Sequence, residues 1–228
     1  MFVSIHIPKT AGTALAKIFD DSSQRRIMYD YGTERDIESV RTCPEEVRAS
    51  REFIKNYFKY LHGHFHYLKY ADVFGDCPFI VTVRHPVDRI VSQYLHIARS
   101  GDPNNWRHKK IMDGEMDIVE FSKYDFIGNA QWYYLEGREV EDYDFIFVQE
   151  SLNHSMKLFC DKFGVDEVRD YLSWSRGVPG VNKRPKLQKK RKSIKITDAQ
   201  KREVFKNCTL DVDVYERAKA CMKQKKWG

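Results

Sequence analysis

The chain has 228 residues, of which 42% are hydrophobic and 14% aromatic, and this composition excludes an intrinsically disordered protein. No apolar run approaches the roughly 20 residues of a membrane-spanning helix, and the N-terminal apolar stretch is too short for a secretory signal, so we expect a soluble, cytoplasmic protein. The net charge of +6 comes from residues 183–192, where seven of ten residues are Lys or Arg and none is acidic. This local excess predicts one basic loop that meets an anionic partner.

The cysteines predict neither a disulfide framework nor a zinc site. Their number is odd and no two are close in sequence, so we expect buried or free thiols in a reducing compartment. They are Cys43, Cys77, Cys160, Cys208 and Cys221.

The first fifteen residues predict a strand, a short loop and the start of a helix. The stretch 2–7 is rich in apolar and β-branched residues (Phe2, Val3, Ile5 and Ile7), as a buried strand requires, and Pro8 ends the strand because it has no N–H to donate. Small residues follow, and an apolar helical pattern then begins at Leu15. Such a loop can hold a phosphate, because its N–H groups and the helix N-terminus attract anions and Lys9 adds a full positive charge.

The rest of the chain alternates strands with helices and predicts an α/β fold, a three-layer structure with a mostly parallel central sheet flanked by helices. No long linker divides it, so we expect one domain over residues 1–228. Thr197 followed by Gln200 is a capping-box pattern that begins a helix. Residues 21–44, 104–115 and 173–196 are predicted as loops. Further strands are predicted at 60–62, 78–83 and 144–148, and helices at 12–20, 45–58, 68–73, 86–98, 117–123, 125–135, 151–163, 197–206 and 211–223.

Two common nucleotide loops are absent. The triphosphatase pattern GxxxxGK followed by Ser or Thr does not occur, since Lys9 precedes Gly12 in PKTAGT, and GxGxxG does not follow the first strand. The string HIPKTAGTAL instead resembles the 5′-phosphosulfate loop of sulfotransferases that use 3′-phosphoadenosine-5′-phosphosulfate (PAPS). A second string, VTVRHPVDRIVSQYLH, is similar to that family's strand–Arg–helix element, in which Arg84 and Ser92 would hold the 3′-phosphate.

Further matches point to the heparan and uronosyl 2-O-sulfotransferases. YLHGHFHYLKYADVFG resembles the segment that carries their catalytic base, which would be His64 here, with His62 as its neighbour. FIGNAQWYYLEG and YDFIFVQESLNHSMKLF resemble the family's Asn/Gln helix and third core strand, so the resemblance covers most of residues 1–163 in the expected order. It implies a fold like that of P-loop nucleotide hydrolases.

The resemblance also implies roles for the loop. Lys9 would stabilise charge on the leaving phosphate of PAPS as the product 3′-phosphoadenosine-5′-phosphate (PAP) forms. The 5′-phosphosulfate would be held by N–H and hydroxyl groups, and Gly12 would be required because the ligand comes too close for a Cβ. The predicted loop residues are Thr10, Ala11, Gly12, Thr13 and Ala14.

Simpler interpretations stay open for several residues. Arg84 could form an ion pair with Asp88, and Ser92 could be an ordinary helix residue. Three histidines within 62–66 could bind a metal, but no cysteine or clear carboxylate accompanies them, so no metal is predicted.

The basic run allows three interpretations: a solvated loop, a nucleic-acid patch, or a lid at about 175–196 over the nucleotide. We favour the lid, with contacts from Asn182, Lys183, Arg184 and Lys189. The acceptor would be held by Trp106 as a sugar-stacking platform, together with Arg107, Lys109 and Lys110.

The sequence thus predicts a PAPS-dependent sulfotransferase that moves a sulfuryl group to a hydroxyl of a carbohydrate, acidic glycans included. The alternatives are a P-loop-type nucleotide kinase and a nucleic-acid-binding protein that uses residues 183–192. The kinase lacks the triphosphatase loop and an obvious magnesium-binding Asp after residues 78–83, and the second alternative leaves the Lys9 loop unexplained. Nothing in the sequence indicates an oligomeric state.

Overall fold

The computed structural model describes residues 1–32, 37–175 and 194–224. In this part of the chain five strands form one sheet in the order β2-β3-β1-β4-β5, and every neighbouring pair is parallel. Helices flank the sheet, which confirms the predicted α/β fold with its parallel central sheet. The strands are β1 (Phe2–Ile5), β2 (Ile27–Tyr31), β3 (Tyr60–His64), β4 (Phe79–Val83) and β5 (Phe145–Val148).

The burial of each strand follows its place in the sheet. The inner strands β1 and β4 and the edge strand β5 are almost wholly buried, in keeping with their continuous apolar sequences. The other edge strand, β2, alternates, with Ile27 buried and Tyr29 and Tyr31 exposed. The prediction of a loop over 21–44 was therefore wrong at β2. This strand has one polar face and only five residues, too little apolar sequence to be recognised beside its polar neighbours.

Helices account for most of the remaining described chain. They are α1 (Gly12–Ser22), α2 (Ile37–Arg41), α3 (Glu45–Ala49), α4 (Arg51–Tyr57), α5 (Tyr67–Phe74), α6 (Pro86–Ser100), α7 (Trp106–Asp113), α8 (Ile118–Ser122), α9 (Asp125–Gly128), α10 (Ala130–Leu135), α11 (Leu152–Phe163), α12 (Asp166–Ser175), α13 (Asp198–Lys206) and α14 (Thr209–Lys223). None of them is long and apolar enough to cross a membrane.

Five helical predictions need correction. The loop predicted over 21–44 contains α2 as well as β2, and the helix predicted over 125–135 is two helices, α9 and α10, on either side of Asn129. Residues 104–115, predicted as a loop, contain α7, because the Asn105 side chain caps its first turn by accepting from the N–H groups of Arg107 and His108. The helix predicted over 45–58 is two helices that meet at Ser50. The end of α12 lies in the loop predicted at 173–196. The capping box of Thr197 and Gln200 is present as predicted.

Two apolar cores hold these elements in place. The larger one surrounds the sheet, and the smaller one lies between α6, α7, α8 and α13. A buried ion pair links α6 to α14, with Arg89 Nε 3.4 Å from Asp211 Oδ2 and both side chains fully buried. All five cysteines are free, and four of them are buried. The carboxyl ends of β1, β3 and β4 therefore meet at one rigid edge, where parallel α/β sheets bind ligands.

Candidate active site

The loop after β1 has a strained backbone. Lys9 and Ala11 both adopt left-handed conformations, with φ of 71° and 73°, although neither is glycine. Between them, Thr10 is fully buried, and its N–H and hydroxyl both donate to the carbonyl of Ile7, at 3.3 and 2.8 Å. Thr10 thus fixes the turn. The sequence suggested that its N–H and hydroxyl would donate to a ligand, but both donate within the loop.

Helix α1 begins directly after this loop, and no side chain caps its first backbone N–H groups. Ala11 provides no side-chain cap, and no acidic residue lies in the first turn. The first N–H groups of an α-helix have no acceptor within the helix, so those of Gly12 and Thr13 are suited to an anion. The N–H of Ala14 donates to the carbonyl of Ala11 at 2.9 Å, which removes it from the predicted ligand-binding donors.

Gly12 is required for a reason that the sequence did not reveal. A Cβ built on Gly12 would lie 1.9 Å from ring atoms of His6, far closer than any van der Waals contact. The His6 ring therefore already excludes a side chain here, and the restriction expected from the approach of a ligand stays a prediction.

Arg84 connects the end of β4 to the same loop. Its guanidinium Nη1 donates to the Lys9 carbonyl at 3.1 Å, and its backbone N–H donates to Gln131 Oε1 at 2.7 Å. Among the described residues no acidic side chain forms an ion pair with Arg84, and Asp88 lies near His85 instead, 3.8 Å from its Nδ1.

Lys9 and Arg84 place two positive charges in one partly buried region. Burial lowers the pKa of Lys9, and the nearby charges of Arg84 and Arg99 lower it further. Burial also lowers the pKa of Arg84, which Asp88 and Glu150 partly oppose from a distance. No described carboxylate forms an ion pair with Lys9. An anion bound between Lys9 and Arg84 would relieve this repulsion.

His64, at the end of β3, is the histidine best placed to act on a ligand. Its ring meets the rings of His6 and Tyr31 edge-on, with centroids 4.4 and 4.9 Å apart, and its Nε2 is buried without a hydrogen-bond partner among the described residues. Burial lowers the pKa of His64 to about 4, against a smaller opposing effect of Asp30. His64 is therefore neutral near pH 7 and able to accept a proton.

His62 lies behind His6 and does not reach the cavity. It is only 1% exposed, its Nδ1 is 2.9 Å from Ser4 Oγ, and its ring stacks on that of His6 at 5.2 Å. Burial lowers the pKa of His62 to about 3, so it stays neutral. The catalytic role predicted for His62 is corrected to a packing role, because a residue in this position does not touch a substrate in the cavity.

One cavity of about 610 Å³ brings most of the predicted site together. The predicted residues on its wall are Lys9, Ala11, Gly12, Thr13, His64, Arg84 and Ser92, and sequence reasoning missed His6, Gln93, His96, His108 and Gln149. Gln149 follows β5 directly, so its place at the carboxyl edge of a parallel sheet could have identified it. His6 follows β1 directly in the same way, whereas the places of Gln93, His96 and His108 depend on how α6 and α7 pack.

A second cavity, of about 430 Å³, adjoins the first and contains two of the predicted acceptor residues. Trp106 and Arg107 line it. Lys109 instead pairs with Asp113 at 2.5 Å, and Lys110 Nζ lies 5.7 Å from the centre of the Trp106 ring, so neither lysine lines the cavity.

Two other predictions are not decided by the described residues. The lid residues Asn182, Lys183, Arg184 and Lys189, and the whole basic run at 183–192, lie outside them. Within residues 1–32, 37–175 and 194–224, no group of His, Cys, Asp and Glu side chains is arranged to hold a metal ion.

A sequence model described as the sulfotransferase family matches residues 1–217, nearly the whole chain. The chain belongs to the sulfotransferase family. No curated protein sequence matches this sulfotransferase significantly. Among solved structures it is similar to a sulfotransferase from Alicyclobacillus acidocaldarius, with 16% identity, a TM-score of 0.44, and coverage of 95% of this chain and 94% of the other. It is also similar to a mouse sulfotransferase complexed with PAP, with 13% identity, a TM-score of 0.35, and coverage of 91% and 63%.

Proposed function

We propose that this sulfotransferase takes its sulfuryl group from PAPS and transfers it to a hydroxyl oxygen, releasing PAP. The observation that supports this most is the pairing of Lys9 and Arg84 in one cavity. The Arg84 guanidinium donates to the Lys9 carbonyl, and neither cation forms an ion pair with a described carboxylate. Both line the cavity that also contains the uncapped start of α1. A donor with anionic groups at its 5′ and 3′ positions matches this arrangement.

The residues present fit such a donor in two places. Lys9 and the N–H groups of Gly12 and Thr13 would hold the 5′-phosphosulfate, beside Ala11 on the same wall. Arg84 and Ser92 would hold the 3′-phosphate, since Ser92 lines the same cavity two turns along α6. When bound, PAPS supplies the sulfuryl group together with a phosphate leaving group.

The chain's own residues would supply acid–base and electrostatic catalysis. His64 would accept the proton of the acceptor hydroxyl at Nε2, which is free of protein hydrogen bonds among the described residues. Because burial keeps the pKa of His64 near 4, the base is in its neutral form at physiological pH. Lys9 would stabilise the negative charge that grows on the departing phosphate oxygen.

The remaining parts of the proposal concern the acceptor and the lid. A single domain over 1–228 would carry both, with residues of the segment 175–196, among them Asn182, Lys183, Arg184 and Lys189, covering the nucleotide. A carbohydrate acceptor and a relationship to the heparan and uronosyl 2-O-sulfotransferases rest on the sequence resemblance alone. Trp106 and Arg107 support only the place of the acceptor, in the second cavity.

Transfer of ³⁵S from labelled PAPS tests this function. Wild-type protein would be incubated with pooled phenols, neutral sugars and sulfated or uronic-acid glycans, and labelled products would be separated from PAPS. We expect label in at least one acceptor, and Lys9→Ala and His64→Ala should each lose transfer by about 10²-fold or more. His154, an exposed histidine on α11, gives the matched control His154→Ala, which should behave as wild type. Equal transfer by all four proteins would refute the assigned roles.

A further inference from the structure

The second cavity has mostly apolar walls. Aromatic rings and aliphatic side chains form them, and two of the rings are uncovered at the surface, with Trp106 54% and Phe126 41% exposed. Aromatic rings present flat faces on which another ring can stack. The apolar wall includes Pro8, Ile97, Trp106, Phe126, Tyr133 and Tyr134.

Most of the polar side chains on these walls make bonds inside the protein, and Asn104 is exposed. Arg89 is fully buried, donates to Gln93 Oε1 at 3.0 Å and to the carbonyl of Ile127, and forms an ion pair with Asp211. Asn105 Oδ1 caps α7. His108 Nδ1 accepts from the N–H of Asp102 at 3.1 Å. Few of these groups can therefore bind an acidic ligand without losing a bond that they make in the fold.

The other cation on this wall faces aromatic rings. The Arg107 guanidinium carbon lies 4.5 Å from the centre of the Phe126 ring and 5.6 Å from those of Trp106 and Tyr124. Such cation–π contacts hold the guanidinium against the rings. The two nearby lysines, Lys109 and Lys110, do not line the cavity.

The second cavity is continuous with the proposed PAPS site. Pro8, Gln93, Ile97 and His108 line both cavities. On α6, Ser92, His96 and Ser100 line only the first cavity and Arg89 lines only the second. Gln93 and Ile97 lie between them and line both. Pro8 directly precedes Lys9, so a molecule in the second cavity lies next to the loop that would hold the sulfuryl group.

We propose that this cavity, defined by Trp106, Phe126, Tyr133 and Tyr134, binds the acceptor, and that the acceptor is an uncharged molecule with its hydroxyl on an aromatic or largely apolar framework. A phenol is the simplest example. This inference rests on the proposed function and departs from the acidic glycan that the sequence suggested. In the transfer, the acceptor hydroxyl gives its proton to His64 and its oxygen forms the new S–O bond, while the S–O bond to the 5′-phosphate breaks and its electrons leave with PAP.

The test compares acceptors in the wild-type protein and in two variants. Initial rates of ³⁵S transfer from labelled PAPS would be measured with 2-naphthol, glucose and a heparan oligosaccharide. We expect 2-naphthol to give the highest kcat/KM. Phe126→Ala and Trp106→Ala should each raise KM for 2-naphthol about tenfold and leave PAP affinity unchanged, since each removes an apolar contact. Phe53→Ala is the matched control, because Phe53 is also an exposed aromatic residue, on α4, and lines neither cavity.

A binding measurement keeps the test decisive if turnover is slow. Calorimetry of 2-naphthol with the PAP-loaded protein should show binding that Phe126→Ala weakens. The inference would be overturned, with PAPS use left intact, by a preference for glucose or the oligosaccharide or by absence of 2-naphthol binding. A loss of PAP affinity in Phe126→Ala would also overturn it and would assign the cavity to the nucleotide base. Failure to bind PAP at all would instead contradict the proposed function itself.

Discussion

The ring of His6 occupies the space that a side chain on Gly12 would need. The ring atoms lie 1.9 Å from a Cβ built at Gly12, and the opposite neighbours of His6 are the rings of His62 and His64 and the hydroxyl of Tyr31, 3.3 Å from its Nδ1. These contacts hold the His6 ring in the place that the new side chain would need. One buried histidine thus supports both the start of α1 and the ring proposed as the catalytic base.

Replacing Gly12 by Ala should damage the anion site. The added methyl group would force His6 or the loop to shift, and overpacking of this kind lowers the free energy of unfolding by about 1–3 kcal/mol. We expect PAP affinity to fall at least as strongly, because the N–H groups at the start of α1 would move. Calorimetric titration with PAP and thermal unfolding measure the two effects.

The double variant H6A/G12A provides the control for this prediction. Removal of the His6 ring opens the space that the new methyl group needs, so the double variant should be more stable than the sum of the two single effects predicts. Strict additivity would show that the ring is not the obstacle.

Arg84 should determine the preference for a 3′-phosphate. A hydrogen bond to a charged group contributes about 1.5–3 kcal/mol, so Arg84→Ala should weaken PAP binding by roughly 10- to 150-fold and change AMP binding much less. Arg48→Ala, at an exposed arginine on α3, should leave both affinities unchanged. If Arg84→Ala weakened PAP and AMP equally, Arg84 would act through its bond to the Lys9 carbonyl and not on the 3′-phosphate.

The pH profile of the reaction should show the lowered pKa of His64. A histidine with the usual pKa of 6.5 would lose half of its neutral form at pH 6.5, whereas burial lowers the pKa of His64 to about 4. The kcat/KM for an uncharged acceptor at saturating PAPS should therefore stay level from pH 8 to pH 5. A fall centred near pH 6.5 would contradict this environment for His64.

Three buried histidines and the partly buried His64 should make the fold sensitive to acid. Burial lowers the pKa of His6 to about 2, of His62 to about 3, and of His64 and His66 to about 4, all from 6.5. The unfolded chain then binds more protons below pH 6.5, so the stability from these groups is complete above that pH and is lost as the pH falls. Burial raises the pKa of Asp211 to about 6, so this one carboxyl has the opposite effect and stabilises the fold as the pH falls. The Tm should drop between pH 7 and pH 5, and a Tm that is constant or rises over this range would contradict the prediction.

Much of the fold was predictable because strong local patterns coincide with buried elements. The apolar runs that became β1, β4 and β5, and the apolar face of α6, are visible in the sequence because these elements are covered by the core. The strand β2 and the helix α7 were missed for the opposite reason. Each has a large solvent-facing surface and is fixed by neighbours, β2 by pairing with β3 and α7 by the Asn105 cap.

The site was predictable where backbone position decides it, and not where packing does. Lys9, Arg84 and His64 follow strands whose carboxyl ends meet at one edge, so their approach could be expected from the order of elements. The burial of His62 depends on the pleat of β3 against Ser4, and the role of Gly12 depends on the position of His6. Neither relationship is a pattern in the sequence, because each joins residues through three-dimensional contact.

Calorimetric titration of the wild-type protein with PAP, AMP and ATP under identical conditions tests most directly whether the Lys9 and Arg84 cavity is a PAPS site. PAP should bind at least about tenfold more tightly than AMP, in proportion to one charged contact to the 3′-phosphate, and ATP should gain no comparable affinity from its longer phosphate chain. Equal affinities for PAP and AMP, or a preference for ATP, would contradict the assignment of this cavity to PAPS.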